Sequence, residues 1–248
     1  MTTPFGQTRT YLGARHALIT PDGHVASSVP GVEGARLVAH ITPAMGAGFA
    51  QSTIDLEPKG RVRLAAGASE HFFYLQEGTV EAGFGGKNHL LTAGSYLYLP
   101  PQLAGEISSA AGAPRLIWFE KKFAAAAGLH PPEPLIGLAS KIEGQPFLGN
   151  PRARLQVLLP DVPAFDMAVN IFTYQPGATL PFVETHVMEH GLLMLSGAGI
   201  YRIEDAWYPV KAGDVIWMAP YCPQWFAAIG DEPASYLYYK DVNRALLA

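Results

Sequence analysis

Three side chains with metal-binding chemistry lie close together between Leu180 and Gly199. Glu184 supplies a carboxylate, and His186 and His190 supply two imidazoles. Residues i and i+2 of a strand point to the same face, so Glu184 and His186 can converge, and His190 can join them after a short turn. Two imidazoles and a carboxylate suit a divalent ion such as Mn, Fe, Co, Ni or Zn, with positions left open for water or substrate.

The spacing of these residues leaves two other interpretations to weigh. A zinc-protease helix also places two histidines four residues apart, but it needs Glu directly after the first, where this chain has Val187. That interpretation is therefore excluded.

Further along, Gln224 follows a strand-like run from 215 to 220, and its amide oxygen is a candidate fourth ligand. The alternative, in which these polar groups satisfy one another in a polar turn, stays open at this point.

Composition limits the possible classes of protein. The chain of 248 residues is 49% hydrophobic and only 15% charged, which is typical of a compact globular protein. Its net charge of -4, with no basic cluster, argues against a nucleic-acid surface. The single cysteine excludes an internal disulfide framework, and no charged-then-apolar leader is present, so we expect a cytoplasmic protein. Apolar runs are too short for a membrane span.

The chain contains two copies of one pattern. Subtracting 119 from the residue number lays HGLLMLSGAGIYRIEDAWYPVKAGDVIWMAP over HFFYLQEGTVEAGFGGKNHLLTAGSYLYLPP without a gap. Apolar residues alternate within short segments separated by Gly and Pro, as in strands and hairpins. The sequence therefore predicts an all-β chain of two similar barrels. The matched pairs include His190 with His71, Gly197 with Gly78, Pro220 with Pro101 and Lys240 with Lys121.

The first copy lacks most of the candidate ligands. The same subtraction matches Glu184 with Ala65, His186 with Gly67 and Gln224 with Gly105, and only His71 remains. Glu70 is a poor substitute, because adjacent strand residues face opposite sides. We therefore predict a metal-free, structural N-terminal barrel.

The repeat and the turn residues predict four segments. Residues 1–44 form an arm, 45–123 the N-terminal barrel, 124–150 a linker, and 151–248 the C-terminal barrel with the metal and active site. The arm is expected to cover a barrel edge or a partner subunit, so a homo-oligomer is predicted. His16 and His24 are predicted to be surface residues of this arm.

The last strand of the second copy carries a candidate anion site. Tyr236, Tyr238 and Lys240 alternate along it and share one face, which could be the barrel interior. A lysine is costly to bury unless it meets an anion such as a substrate carboxylate. The alternative is a strand-end lysine that reaches water, and Lys121 at the matching position of the first copy keeps that alternative open.

Taken together, PGATLP, the E-x-H-x3-H cluster, SGAGIYRI, KAGDVIWMAP and PQW resemble the cupin pattern, here in a bicupin of two tandem jelly-roll barrels. The usual cupin motif is H-x-H followed by Glu and a later His, whereas Glu184 and Gln224 stand at the first and last positions here. With this departure the chain resembles the (S)-ureidoglycine aminohydrolase family of purine (allantoin) breakdown. The resemblance covers most of the chain, including HALITPDG near the start and YKDVNR near the end.

The resemblance implies an activity and a set of site residues. The family releases ammonia from (S)-ureidoglycine, a small molecule, and gives (S)-ureidoglycolate. It implies one Mn²⁺ per chain on Glu184, His186, His190 and Gln224. It implies substrate contacts from Glu184, Gln224, Tyr236, Lys240 and Tyr201, of which Glu184 and Lys240 would be catalytic.

Two rival functions remain at this point. An Fe(II) cupin dioxygenase acting on a small organic acid would use the same imidazoles and carboxylate, although a fourth protein ligand would crowd its iron. A non-enzymatic cupin sensor is the other alternative. A regulator of transcription would normally add a helix-turn-helix segment and a basic patch, and the sequence has neither.

Overall fold

The computed structural model describes residues 7–245, and strands dominate it. Three short 3-10 helices occur at Pro21–Gly23, Pro43–Met45 and Ala139–Lys141, and none of the helices in the described part is long or apolar enough to cross a membrane. The all-β prediction is confirmed. The strands are β1 Tyr11–Leu12, β2 His16–Ile19, β3 Val32–Ile41, β4 Ala50–Leu64, β5 Ser69–Phe84, β6 Lys87–Thr92, β7 Ser95–Leu99, β8 Gly105–Lys122, β9 Leu135–Leu138, β10 Gln145–Phe147, β11 Asn150–Val157, β12 Met167–Tyr174, β13 His190–Ser196, β14 Ala198–Ile203, β15 Ala206–Lys211, β16 Val215–Met218, β17 Gln224–Ile229 and β18 Ala234–Asp241.

The N-terminal unit comprises residues 25–143 together with 160–166. Its antiparallel sheet runs in the order β3-β4-β8-β5-β7-β9, and β6 pairs with β5. Apolar residues of β5 alternate within two stretches, Phe73 with Leu75 and Val80 with Ala82, and register shifts between the stretches let both point into one core. The barrel interior is therefore filled by side chains.

The C-terminal unit comprises residues up to His24, 144–159 and 167–245. One sheet has the order β1-β2-β16-β13-β18-β12-β11-β10, and a second, three-stranded sheet has the order β15-β14-β17. Its core is rich in aromatic residues that favour strands, including Phe172, Tyr174, Tyr201, Phe226 and Tyr236. Tyr238 of the same core stacks on His190, with ring centroids 5.6 Å apart.

The boundaries of the two units differ from the boundaries that the sequence predicted at residues 44, 123 and 150. Strand β2 of the arm pairs with β16 of the C-terminal unit, whereas β3 pairs with β4 of the N-terminal unit. Within the expected linker, β9 pairs with β7. The physical reason is the same in both units: β2 and β9 supply hydrogen-bonding partners to strands that would otherwise be bare edges.

The internal repeat is visible in the strand pairing. His71 lies opposite Leu99, and His190 lies opposite Met218, at the same offset of 119 residues. The equivalent turns before β7 and β16 both use glycine in the left-handed region, with φ of 85° at Gly94 and 90° at Gly213. Both barrels thus hold a histidine at the same point of the same strand pair.

Candidate metal centre

Two imidazole rings meet at the start of β13. The Nε2 atoms of His186 and His190 lie 3.1 Å apart, and the ring centroids are 4.8 Å apart. His190 opens the strand, while His186 lies in the irregular segment before it, which a strand register alone could not have positioned. The Nδ1 of His186 faces the carbonyl oxygen of Met188 at 3.2 Å, so its N–H can donate there and leave the Nε2 lone pair free for a ligand.

The surroundings of both imidazoles favour their neutral form. Burial lowers the pKa of His190 well below its usual value, and the nearby His186 and Lys240 lower it further. The pKa of His186 is also lowered, first by burial and then by Lys240. Metal ions bind neutral imidazole, so the direction of both shifts favours metal binding.

Gln224 faces Glu184 across a short bridge between their main chains. The Glu184 N–H donates to the Gln224 carbonyl at 2.8 Å, and the Gln224 N–H donates to the Glu184 carbonyl at 2.9 Å. The Tyr201 hydroxyl donates to Gln224 Oε1 at 2.8 Å, and Gln224 Nε2 lies 3.5 Å from His186 Nε2. A half-turn of the amide would exchange its two atoms, and the hydroxyl can accept as well as donate. The amide oxygen can therefore face either partner.

The Glu184 carboxylate does not form a tight group with the two imidazoles. Among residues 7–245, one triple of His, Cys, Asp or Glu donors lies within 4.8 Å of one another, and Glu184 does not belong to it. Burial raises the pKa of Glu184 while the charge of Lys240 lowers it. Burial also raises the pKa of Tyr201 and Tyr236, and the Glu184 carboxylate raises both further. Glu184 thus lies close enough to these buried hydroxyls for its charge to act on them.

Lys240 and two tyrosines line the same wall on β18. Lys240 lies directly opposite His190, while Tyr238 and Tyr236 lie opposite Leu192 and Met194. Opposed residues of antiparallel strands share a face, so Lys240 points toward the side that carries the imidazoles. The interior position inferred from alternation along this strand agrees with the observed register.

Strand β12 contributes two polar partners that the sequence analysis missed. The Asn170 amide donates to the Tyr238 hydroxyl at 3.0 Å, and the hydroxyls of Tyr174 and Tyr236 lie 3.1 Å apart. Asn170 and Tyr174 share a face of β12, and this alternation was the available signal. Together these groups make a hydroxyl-rich wall beside the imidazole pair.

The N-terminal barrel holds its histidine differently. Trp118 donates its indole N–H to His71 Nδ1 at 3.2 Å, and the ring packs near Phe73. Burial lowers the pKa of His71 to about 4, so the ring is neutral. The positions that match the other candidate ligands are occupied by Ala65, Gly67 and Gly105, which have no ligand atoms in their side chains. The expectation of a metal-free N-terminal barrel remains a prediction.

A second cluster of donor atoms lies in the C-terminal unit. His16, Glu204 and Cys222 place their ligand atoms within 4.8 Å of one another. His16 is only 4% exposed, so the predicted surface position is wrong for it: the ring stacks on Tyr11 and bonds to Glu204 and Tyr208. Burial raises the pKa of the Cys222 thiol to about 11, which argues against a nucleophilic thiolate.

Comparisons with known proteins bear on this architecture. The cupin domain family matches residues 170–239, which span β12 to β18. The (S)-ureidoglycine aminohydrolase of Arabidopsis thaliana is 39% identical over 242 residues, covering 96% of this chain and 80% of the relative. The (S)-ureidoglycine aminohydrolase of Escherichia coli (strain K12) is 35% identical over 232 residues, covering 92% and 88%. The crystal structure of protein Ylba from E. coli aligns with a TM-score of 0.86 and 32% identity, covering 96% of this chain and 95% of that one.

These similarities extend over both units. The prediction of tandem cupin barrels is confirmed by the cupin match and by the structural alignment along nearly the whole chain. The cupin domain together with clustered donor side chains supports a metal cofactor. Because relatives at 35–39% identity cover more than nine-tenths of it, this chain belongs to the (S)-ureidoglycine aminohydrolase family.

Proposed function

We propose that this chain is a metal-dependent hydrolase that releases ammonia from (S)-ureidoglycine and yields (S)-ureidoglycolate. The activity is the one for which its Arabidopsis and E. coli relatives are named. The observation that carries the proposal is the convergence of two imidazole Nε2 atoms, 3.1 Å apart, within the barrel of a chain from that family. Burial lowers the pKa of both rings and so favours the neutral form that binds a cation.

The proposed metal is Mn²⁺, held by Glu184, His186, His190 and Gln224. Nitrogen donors mixed with carboxylate and amide oxygens suit manganese among the divalent ions. The set is consistent with the donor chemistry here, since Gln224 lies beside His186 and the charge of Glu184 acts on the buried Tyr201. The Glu184 carboxylate would reach the metal by rotation of its side chain. When bound, the metal supplies positive charge that holds and polarises the polar atoms of the substrate.

Lys240 would bind the substrate carboxylate. It lies opposite His190 on the interior face of β18, and its charge acts on Glu184, His186 and His190. An ammonium on a half-buried barrel wall is stabilised by an anion of this kind. Tyr201 and Tyr236, which are buried in the core of the same barrel, are the proposed further substrate contacts.

The chemistry needs orientation more than strong activation. The carbon–nitrogen bond to the amine breaks, and the amine leaves as ammonia with the electron pair of that bond and with the proton of the ureido N–H. The ureido nitrogen then shares its electron pair with the carbon and forms the double bond of an acylimine. Water adds to that carbon, its oxygen loses a proton, and the imine nitrogen regains one. The pKa of Glu184 is raised by burial, so its carboxylate is a suitable acceptor for the proton from water. Because Lys240 fixes the carboxylate, water would reach one face only.

The test uses the purified chain and freshly made ureidoglycine. We expect ammonia release, the (S) enantiomer of ureidoglycolate, and manganese dependence after chelation and re-addition of single metals. His190→Ala should lose bound metal and activity together. Full, stereospecific activity in a metal-stripped sample of this variant would contradict the proposal.

The rival functions make different predictions in the same assays. A dioxygenase would consume oxygen with Fe(II), and a sensor would bind a ligand without turnover. Neither is favoured, because the relatives that cover most of the chain are named as aminohydrolases. Turnover of allantoate in place of ureidoglycine would point to a neighbouring reaction. A homo-oligomer remains a prediction, to be measured by light scattering of the same sample.

A further inference from the structure

We propose that His16, Glu204 and Cys222 form a second metal site, separate from the imidazole pair and suited to a thiolate-binding cation such as Zn²⁺. The site goes beyond the proposed ammonia release, because none of these three residues belongs to the candidate metal centre. The cation would fasten the N-terminal arm to the segment that carries Gln224.

The three donors come from distant parts of the sequence and converge in one unit. His16 begins β2, Glu204 lies in the turn after β14, and Cys222 lies between β16 and β17. Their ligand atoms lie within 4.8 Å of one another. His16 and Cys222 are each 4% exposed, while the side chain of Glu204 is 34% exposed, so the cluster is enclosed on the protein side and open to solvent through the carboxylate.

The hydrogen bonds of His16 direct one nitrogen toward the other donors. Its Nε2 lies 2.8 Å from the Tyr208 hydroxyl, and its Nδ1 lies 2.9 Å from Glu204 Oε2. Metal-binding histidines commonly give their other ring N–H to such a partner, which fixes the tautomer. A single proton can bridge Nδ1 and Oε2, and a cation would replace it. Stacking on Tyr11, with centroids 5.0 Å apart, limits rotation of the ring.

Glu204 is restrained in a similar way. Its second oxygen, Oε1, lies 3.4 Å from Arg15 Nε, which leaves Oε2 for the cation. The charge of Arg15 opposes cation binding, but its side chain is 49% exposed, so solvent screens that repulsion. Glu204 lies in a turn with φ of 53°, and its carboxylate contacts His16 and Arg15 of the arm.

The donor set determines which metal is expected. Sulfur with imidazole and carboxylate favours Zn²⁺ or Co²⁺, whereas oxygen-rich sites favour Mn²⁺ and Mg²⁺. Three protein ligands leave a fourth position for water. The thiol would release its proton to solvent when sulfur binds the cation.

The N-terminal copy has no equivalent cluster. Subtracting 119 matches Glu204 with Gly85 and Cys222 with Leu103, so two of the three donors are absent. In the C-terminal unit the cluster adjoins the candidate active site, because the Glu204 N–H donates to the Pro223 carbonyl at 2.8 Å, one residue before Gln224. A bound cation would therefore restrain the position of Gln224.

The chain contains a single cysteine, which makes the test direct. The full chain is stripped with a chelator and titrated with Co²⁺ while near-ultraviolet and visible spectra are recorded. Sulfur bound to Co²⁺ gives a charge-transfer band that nitrogen and oxygen ligands do not give. We expect this band to saturate when one Co²⁺ per chain occupies this site, in addition to any Co²⁺ bound by the imidazole pair, and we expect Zn²⁺ to remove it. Absence of the band in the folded chain would overturn the proposal.

Variants separate this site from the candidate metal centre. Glu204→Gln should weaken Co²⁺ binding measured by the sulfur band, and Tyr208→Phe should weaken it roughly tenfold. His190→Ala should leave the band unchanged, so failure of the proposed enzyme activity would not affect the result. Equal Co²⁺ affinities, measured from the sulfur band, in Glu204→Gln and in the original chain would also overturn the site as assigned.

Discussion

The two barrels place a histidine at the same point of the same strand pair and surround it differently. His190 lies beside His186 and Gln224, with Lys240 opposite on the next strand. His71 instead accepts a hydrogen bond from the indole of Trp118 within a packed core. A histidine alone therefore does not indicate a metal site. Its role depends on the side chains around it, and these differ between the two barrels.

The closing strand of each copy, β18 in the C-terminal unit and β8 in the N-terminal unit, pairs with the histidine strand in a register that differs by one residue. Lys240 pairs with His190, whereas Lys121 pairs with Glu70, the residue before His71. A one-residue shift moves a side chain to the opposite face of the sheet. Lys121 consequently makes an ion pair with the buried Asp166, on the face away from His71. Two lysines that align in sequence thus have different environments.

One hydrogen bond, on the face of the sheet away from His71 and His190, is the same in both copies. Tyr98 donates its hydroxyl to Glu70 at 2.7 Å, and Trp217 donates its indole N–H to Glu189 at 3.3 Å. These are matched pairs at the offset of 119 residues. The copies therefore share a supporting contact on one face and differ on the face that lines the barrel interior.

The largest expected difference between the copies comes from replacing each histidine. His190→Ala removes a proposed ligand, and we expect loss of tight Mn²⁺ binding with a fall in kcat/KM of about 10³-fold. His71→Ala should leave Mn²⁺ affinity and kcat/KM within about twofold, because its ring packs against Trp118 and Phe73 in the N-terminal core. Atomic absorption and ammonia assays on both folded variants measure this. Equal losses in the two variants would contradict the distinction.

The two lysines provide the next comparison. Lys240→Met should lower kcat/KM by roughly 10²-fold, mainly through KM, since a charged hydrogen bond to the substrate carboxylate is lost. Lys121→Met should keep its activity but unfold more easily by roughly 3 kcal/mol, because Asp166 is left buried without its partner. Steady-state kinetics and denaturant unfolding separate these effects. A large loss of activity in Lys121→Met without unfolding would break the comparison.

Tyr201 tests how Gln224 is held. Tyr201→Phe removes the hydroxyl that donates to Gln224 Oε1, and we expect Mn²⁺ affinity to fall roughly tenfold. Tyr238→Phe is the matched control, because its hydroxyl accepts from the Asn170 amide, whereas the Tyr236 hydroxyl interacts with Tyr201 itself. Titration calorimetry of both variants gives the affinities. An unchanged affinity in Tyr201→Phe would show that Gln224 is not restrained through this bond.

The last prediction concerns the stability of the N-terminal unit. Burial, reinforced by the nearby Asp166 carboxylate, raises the pKa of Glu70 to about 9 from 4.5. Between these values the folded unit holds a proton that the unfolded chain releases, so the free energy of unfolding falls as pH rises. Glu70→Gln should flatten this dependence and stabilise the unit by roughly 1–3 kcal/mol at pH 8.

Urea unfolding of the N-terminal unit at pH 5, 7 and 8 measures that dependence. Glu77→Gln, a change at an exposed position of the same strand, is the control and should follow the original chain. Identical pH slopes for the original chain and Glu70→Gln would contradict the assignment of a buried, protonated carboxyl.

The sequence was sufficient to predict the two barrels and part of the candidate site. Alternation and the ungapped repeat predicted the strands and matched His71 with His190, because those features are local and periodic. The same alignment could not detect the register shift of the closing strand, which separates Lys121 from Lys240. Nor could it place His16 beside Glu204, since that contact joins residues 188 apart.

The position of manganese is the most direct test of the difference between the barrels. Crystals of the chain grown with Mn²⁺ and measured at the manganese absorption edge give an anomalous map of the metal. We predict a peak next to the Nε2 atoms of His186 and His190. A peak beside His71, or a manganese-loaded crystal with no peak near the imidazole pair, would contradict the account.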